Sequence, residues 1–541
     1  MFTLKLKRNT SHSIARGAEG RGAFTAVVCV ASLLLSRSLQ QLTLEASTAR
    51  DMTSFLDYKV QTQEAPTLTV DHKGLLKIVQ DEKKGRCLEA TRDVPVGTLL
   101  YTEEPLVWAE YEEESEEAGD VRVNAELVVR AFGKRVFGRI DELEEEFAAF
   151  PRVESLDTSR SWFQLVSMWL LRDEGLGSSE LSKRLRLALQ LTPGPGLAEC
   201  VDTVRQFRAL HKNVLPKVLS DADGGFLLGV LNTNQVELEE VGGSGLFPTT
   251  ALLEHSCAFN CSYTTSGTTL FLTATEPVKA GDRLSIDYMN GYYNPTAVRQ
   301  EELLSAYGFV CDCRRCAEPD RARAFRGRAG ACRCGPEGIA SALYCPVGGV
   351  TVGVAAGEKM DDAEEDEEKE AGLVCLQCQA LVSDAEYVKT CLAREKHYGQ
   401  HFAEEAVVEA DEAAVAAAAH EGVLHESHHI IFSATNELAL AAAAQARRVP
   451  SSYPQAVALM RKSIALLDQV LPAVHHERVV LMDRLGQVAV CANEGELAKW
   501  AYTSAWNQSR LCCSASFPGT AKLSVLAANP PTSLEELLTH Y

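Results

Sequence analysis

Ten of the seventeen cysteines (Cys257, Cys261, Cys311, Cys313, Cys316, Cys332, Cys334, Cys345, Cys375 and Cys378) fall within one stretch of 122 residues. C-x-C-x-x-C at Cys311, Cys313 and Cys316 and C-x-x-C at Cys375 and Cys378 are spacings of thiolate ligands to zinc in a reducing compartment. A disulfide framework belongs instead to short secreted domains. Three thiolates this close in sequence cannot surround a tetrahedral ion alone, so the first group needs a fourth ligand from elsewhere in the chain. The second pair has Cys345 upstream, with Cys332 or Cys334 as the missing ligand, of which we favour Cys334. Two zinc ions are therefore expected. His425, His428 and His429 have a spacing that permits metal binding, but a polar helix face is the simpler reading. Cys29, Cys200, Cys391, Cys491, Cys512 and Cys513 read as small hydrophobes.

These groups need elements to hold them, and 541 residues provide for three or four structural units. Hydrophobic residues at 46% and charged residues at 23% exclude a disordered, collagen-like or coiled-coil class for the bulk of the chain. A net charge of -21 repels polyanions, so direct nucleic-acid binding is not expected and basic peptides are the more natural partner. Short strands joined by tight turns are expected from Thr67 to Trp108, including Leu75 to Val79 and Thr98 to Tyr101. Helical spacing follows in Ala125 to Phe137, Trp162 to Leu171 and Val201 to Val218, with Pro193-Gly194-Pro195 as a breaker. Strand character returns from Phe226 to Tyr288. The run Lys359 to Glu370 is acid-dense and reads as a solvated loop between two halves of a metal site. Beyond Glu404 the chain is Ala-rich, with amphipathic helices at Ile430 to Ala446, Gln455 to Leu471 and Glu477 to Ala492, which look like a small helical-repeat array.

The first 50 residues carry seven Lys/Arg and two acids around an apolar run from Ala23 to Leu35. Thirteen residues are too few to span a bilayer, and no other run reaches the 18 or so needed, so a membrane span is not expected. Signal peptide, transit peptide and a disordered or misassigned amino terminus stay open, the Arg/Ser-rich character leaning to transit.

Three local patterns occur in one order. Lys84-Gly85-Arg86-Cys87-Leu88 precedes a strand, Leu252-Leu253-Glu254-His255-Ser256-Cys257 lies mid-chain, and Leu284-Ser285-Ile286-Asp287-Tyr288 leads to Tyr307-Gly308-Phe309-Val310-Cys311-Asp312-Cys313-Arg314-Arg315-Cys316. Together they resemble a SET-domain protein lysine methyltransferase of the SMYD-like branch. Val230 to Leu238, Gly245 to Pro248 and Ser341 to Cys345 are similar to the arthropod-type members in particular. The MYND zinc module that names the branch is not expected, because only Cys200 appears between Trp108 and Phe226.

The resemblance implies an α+β fold: a split SET β-core with a helical insertion, a cysteine-rich zinc-binding post-SET segment, and a C-terminal α-helical TPR-like domain. The corresponding boundaries are 1–65 (disordered or targeting), 66–110 (SET, first part), 111–225 (insertion), 226–310 (SET, second part), 311–400 (post-SET and second zinc segment) and 401–541 (helical domain). It implies Cys257 as the fourth ligand beside Cys311, Cys313 and Cys316. It implies S-adenosylmethionine as cofactor, held by Lys84, Gly85, Arg86, Asn234, Glu254, His255, Tyr288 and Phe309. Tyr288 stands at the position of the catalytic tyrosine and Tyr307 at that of a lysine-channel aromatic. Two residues depart from the pattern: Cys87 replaces the second glycine of the cofactor loop, and Glu254 replaces an asparagine. A lone carboxylate at 254 would repel the cofactor's carboxylate, an effect Lys84 or Arg86 could offset, and Glu254→Asn is then expected to tighten binding.

The implied reaction is methyl transfer from S-adenosylmethionine to a lysine of a protein, histone or otherwise, by a monomeric enzyme of the cytoplasm or nucleus, or of an organelle if residues 1–50 direct it there. The implied partners are a protein with a basic, lysine-containing segment and a further partner on the helical domain. The alternative is a catalytically weak SET scaffold that acts through partner binding, for instance in transcriptional repression.

Overall fold

The computed structural model describes residues 74–110, 149–150, 156–170, 179–329 except 213, 216 and 218, then 331, 334, 342–346, 372–404, 415–416, 418, 422–446 and 449–541. The segment 1–65, the helical pattern at 125–137, the acidic run 359–370 and Cys332 lie outside the described residues.

β1 (Leu76–Asp81) and β2 (Gly85–Ala90) form an antiparallel hairpin. Its turn is fixed by the Asp81 carboxylate, which accepts the backbone N–H groups of Lys83 and Lys84 at 2.7 Å each. Gly85 enters β2 at φ +77, a left-handed conformation that glycine adopts without strain. β3 (Leu99–Glu103) and β4 (Val107–Glu110) then go to two separate three-stranded sheets. Both are completed by strands from beyond the insertion. β4 pairs with β6 (Gly243–Leu246), which also pairs with β5 (Gln235–Leu238), whereas β3 pairs with β9 (Thr269–Ala274), which also pairs with β8 (Cys261–Ser266). β7 (Glu254–His255) and β10 (Ser285–Ile286) are a short parallel pair, and they lie where the two chemically interesting segments meet.

The insertion is helical, with described helices at Leu156–Leu170, Ser179–Ala188 and Leu197–Leu210. The third stops at Leu210, short of the expected Val218. A larger difference follows it. Asp221–Asn234 is a helix, so the strand character expected from Phe226 begins only at Gln235. The Ser220 hydroxyl caps this helix by accepting from Asp223 N at 3.0 Å. Its interior is apolar on all sides because it is buried, and in a short apolar run burial removes the periodicity that separates helix from strand. Gly225 and Gly229 let it approach closely: a Cβ at Gly225 would meet Val201 at 2.5 Å, and one at Gly229 the Pro193 carbonyl at 2.7 Å.

A buried carboxylate ties β3 to the segment before β7. Glu103 accepts from Thr249 N at 2.8 Å and from Thr250 N and Oγ1 at 2.9 Å each, holding the 3-10 turn Thr250–Leu252 that leads into Leu253 and Glu254. Burial pushes this carboxyl upward against those three donors.

After the helix Thr296–Tyr307 comes a small antiparallel sheet of β11 (Phe325–Arg326), β12 (Leu343–Pro346) and β13 (Leu373–Cys375). The remaining described chain is helical: Ala385–Glu404, His429–Ala446, Tyr453–Val470, His476–Cys491, Gly495–Cys512, Pro518–Ala528 and Leu534–Leu538. From 429 to 528 each helix packs on the next. This array docks on the β8–β9 face, where Phe271 and Phe517 meet edge to face at 5.5 Å, and Gly97 at φ +81 lets the chain pass the Arg510 carbonyl.

Candidate active site and cysteine clusters

The pairing of Glu254 with Ser285 and of His255 with Ile286 lays β7 along the segment that leads to Tyr288, whose side chain reaches back to Leu253. The Tyr288 hydroxyl donates to the Leu253 carbonyl, and Tyr288 N donates to His255 Nδ1 at 3.1 Å. A ring nitrogen that accepts carries no proton, so the neutral imidazole bears its hydrogen on Nε2, which lies 3.3 Å from Cys257 Sγ. One ring thus connects the tyrosine's backbone to a sulfur of the cysteine cluster. Gly308 ends the preceding helix at φ +76 with its N–H on Leu304 O, and this turn brings Tyr307 and Phe309 to the same place. Ring centroids are 4.9 Å apart for Tyr288 and Tyr307, 5.3 Å for His255 and Tyr288, 6.0 Å for His255 and Phe309, and 6.4 Å for Tyr307 and Phe309. Burial pushes both tyrosine hydroxyls upward, so both stay protonated at neutral pH.

The residues aligned with a cofactor gather around this cluster, with partners other than those expected. Lys84 Nζ pairs with Glu254 Oε2 at 2.7 Å, and the second cation on Glu254 is Arg283, at 3.0 Å from Oε1. Arg86 donates to the Gln190 side-chain oxygen. Asn234 Nδ2 donates to Thr192 O at 3.0 Å and to Val230 O at 2.8 Å. Pro195 lies under Gly308, 3.6 Å from where a Cβ would be. Residues 190 to 195 of the insertion therefore touch three of the segments aligned with the cofactor, a role that helical periodicity could not show. Cys87 is buried, its thiol directed to the Gly85 carbonyl at 3.6 Å, and burial pushes it up to about 12. The space beside Gly85 is left open, with nothing within 4 Å of a Cβ built there.

Cys257, Cys311, Cys313 and Cys316 converge, their sulfurs all within 4.8 Å of one another. Cys257 Sγ lies 4.0 Å from Cys311 Sγ and 3.6 Å from Cys316 Sγ. Tetrahedral zinc at about 2.3 Å from each sulfur needs sulfurs about 3.8 Å apart, so this donor set fits the ion. Arg299 completes the surroundings. Fully buried, it donates Nε to Cys257 Sγ at 3.2 Å and directs Nη2 at Cys316 Sγ at 3.7 Å, and the negative sulfurs hold its guanidinium charged despite burial. Four thiolates on a divalent ion leave a net charge of -2, which such a cation offsets.

A second group contains Cys334, Cys375 and Cys378, with Cys334 Sγ 3.6 Å from Cys375 Sγ. Cys345 is not part of it. In the β12–β13 register Tyr344 faces Cys375 and Cys345 faces Val374. Side chains alternate faces along a strand, so the Cys345 thiol is buried on the opposite face of the sheet from the cluster. The sequence places Cys345 in the right strand, and only the register reveals its face.

The histidines near 428 differ from the expected polar helix face. His428 is fully buried, with Nε2 3.3 Å from Glu395 Oε1, and Arg323 grips the same carboxylate with Nε and Nη2 at 2.7 and 2.5 Å. The Arg323 guanidinium already occupies the Glu395 carboxylate, so this group is a structural ion pair with the buried His428 ring packed against it and not a cation site. Burial pushes the Glu395 carboxyl up, but His428 and Arg323 outweigh it and hold it at about 2. Since this lies below the ordinary 4.5, the linked stability is complete above about pH 4.5 and is lost as pH falls through about 2. Glu395→Gln should therefore lower the melting temperature at pH 7, by a loss of up to about 3 kcal/mol. Its deficit against the unaltered chain should shrink as pH falls from about 4.5 toward 2. A deficit that stays constant with pH would contradict this account.

Comparison with known proteins agrees with the geometry. The SET domain family matches residues 85–289. N-lysine methyltransferase SMYD2-A of Xenopus laevis is 38% identical over 96 residues, 17% of this chain and 22% of that protein. Histone-lysine N-methyltransferase SMYD3 of Mus musculus is 40% identical over 85 residues, 16% of this chain and 19% of that protein. The chain thus spans about a fifth of the length of the curated relatives it matches. The solved structure of Rubisco LSMT bound to AdoMet covers 91% of this chain and 99% of its own at 11% identity and a TM-score of 0.28, an overlap too loose to carry an argument. The second strand of the hairpin, the β7–β10 pair and Tyr288 after it lie within the matched residues, so this part of the chain is similar to a SET domain and, over 85 to 96 residues, to the SMYD lysine methyltransferases.

Proposed function

We propose that the protein transfers methyl groups from S-adenosylmethionine to lysine side chains of a protein substrate, the lysine methylation that its relatives are named for. The observation that carries this is the Tyr288 hydroxyl held on the Leu253 carbonyl inside the aromatic group of Tyr307, Phe309 and His255, within the SET domain. The cofactor supplies an electrophilic methyl on a sulfonium. The chain's own residues do the rest. Burial of an incoming lysine, whose ordinary pKa is about 10.4, beside the positive sulfonium disfavours its ammonium form and so favours the amine that can attack. The Tyr288 hydroxyl and the Leu253 carbonyl orient that amine, and the Tyr307 face favours methylated nitrogen. Basic residues around the target lysine suit the net charge of -21 and the carboxylates of Glu237, Glu239 and Asp287 near Tyr263.

We assign zinc to the Cys257 cluster and a second zinc to the Cys334 cluster, giving two ions per chain. The helical array from 429 onward is read as a TPR-like surface for a partner. The scaffold alternative drew on Cys87 and Glu254; the Cys87 thiol is turned inward and the Glu254 carboxylate is paired twice, an arrangement compatible with catalysis.

Binding of the cofactor tests the reading directly. At about 100 times its dissociation constant, S-adenosylmethionine should stabilise the protein by about 2.7 kcal/mol, seen as a thermal shift with a matching calorimetric heat. Absence of both would leave the scaffold reading. Mass spectrometry of cell extract incubated with protein and cofactor then identifies methylated lysines.

A further inference from the structure

Four charged side chains of alternating sign run from the hairpin turn to β7. Asp81 fixes the turn through the N–H groups of Lys83 and Lys84, and its other oxygen takes Arg283 Nη2 at 2.7 Å. Arg283 passes on to Glu254 Oε1 at 3.0 Å, and Glu254 Oε2 takes Lys84 Nζ at 2.7 Å. Exposure divides the members of this chain of charges: the Glu254 side chain is 9% exposed and that of Lys84 49%. The acid is thus the interior support and the lysine the end that meets solvent.

We propose that Glu254 is a positioning residue that holds Lys84 as the docking cation for the carboxylate at the amino-acid end of S-adenosylmethionine, an inference that rests on the cofactor reading above. The ammonium has three donors and spends one on Glu254. It stands on the turn beside Gly85, where the space a side chain would fill is open. Two cations on Glu254, with Arg283 shared by Asp81, leave the four groups with no net charge. An incoming carboxylate therefore meets the lysine at the near end of the row, and the acid behind it is already neutralised. This reverses the expectation that an unsupported carboxylate at 254 repels the cofactor. Removing Glu254 frees a long, half-exposed lysine to sample many rotamers, so the cofactor must then order it on binding.

Calorimetric titration of the full chain separates this role from general support of the fold. The ligands are S-adenosylmethionine and 5′-methylthioadenosine, which keeps the adenosine and the sulfur but has neither carboxylate nor ammonium. Glu254→Gln and Lys84→Met should each weaken S-adenosylmethionine about tenfold and leave 5′-methylthioadenosine within about twofold. Equal weakening of both ligands would make Glu254 a structural residue and overturn the inference. So would unchanged or tighter S-adenosylmethionine binding in either variant. Lys84→Met, at a half-exposed position, keeps the test valid if Glu254→Gln does not fold. Failure of the unaltered chain to bind S-adenosylmethionine at all is a separate result, which overturns the cofactor reading itself.

Discussion

Tyr288→Phe should lower turnover by about 100- to 1000-fold while the dissociation constant for S-adenosylmethionine stays within about twofold. The magnitude is that of removing one preorganised hydrogen-bonding group from a site that excludes water. Phenylalanine keeps the ring, so contacts with Tyr307 and His255 at 4.9 and 5.3 Å persist and the fold is expected to stand. What is lost is the hydroxyl on the Leu253 carbonyl, and with it the group that orients the amine. Burial raises that hydroxyl's pKa, so its ionisation should not appear in the pH–rate profile of the unaltered enzyme near neutrality. Single-turnover kinetics with bound cofactor measure the effect. Unchanged turnover in the Phe variant would remove Tyr288 from the chemistry.

Cys257→Ser should have the largest effect on the folded state. Elemental analysis is expected to show one zinc fewer per chain, and cofactor binding should fall with it. Two costs combine. A structural zinc contributes apparent binding free energy of about 10 to 16 kcal/mol in small domains, much of it expressed as folding stability. The buried Arg299 guanidinium also loses the sulfur on its Nε while keeping Cys316, Thr296 and Asn294, and one hydrogen bond to a charged group is worth about 1.5 to 3 kcal/mol. The second cost alone corresponds to a drop of about 5 °C in melting temperature for a unit of this size. Because His255 Nε2 lies against the same sulfur and its Nδ1 accepts Tyr288 N–H, the loss should reach the tyrosine as well. A full zinc count with unaltered cofactor affinity would refute this assignment.

How much of this was readable beforehand depended on whether the information is local. Cys311, Cys313 and Cys316 announce a metal by spacing alone, and the motif around Cys257 pointed to a partner more than fifty residues away that the structure does place beside them. Tyr288, Tyr307 and Phe309 were recognisable by their order in the chain, and they share one cluster. Cys345 was misplaced because ligand spacing does not encode strand register, and a shift of one position changes the face on which a side chain lies. The helix at 221–234 resembled a strand because a fully buried segment loses the polar stripe by which helices are read. Arg299 and Arg283 were missed since a lone arginine gives no local signal; only the fold sets one against two sulfurs and the other between two carboxylates.

The loop at 190–195 limits how this protein can be cut down. Every motif residue of the SET pattern lies outside the insertion, so an excised version joining its two halves would keep the complete motif set. It would nevertheless lose Gln190 from Arg86, the Thr192 carbonyl from Asn234, and Pro195 from beneath Gly308. Asn234 would then have only the Val230 carbonyl among these two acceptors. A truncated chain of that design would also lose the part of the hydrophobic core that the helix Leu156–Leu170 packs onto β4 and β6. The smallest active fragment accordingly has to run uninterrupted from the hairpin to the last cysteine of the first cluster, insertion included.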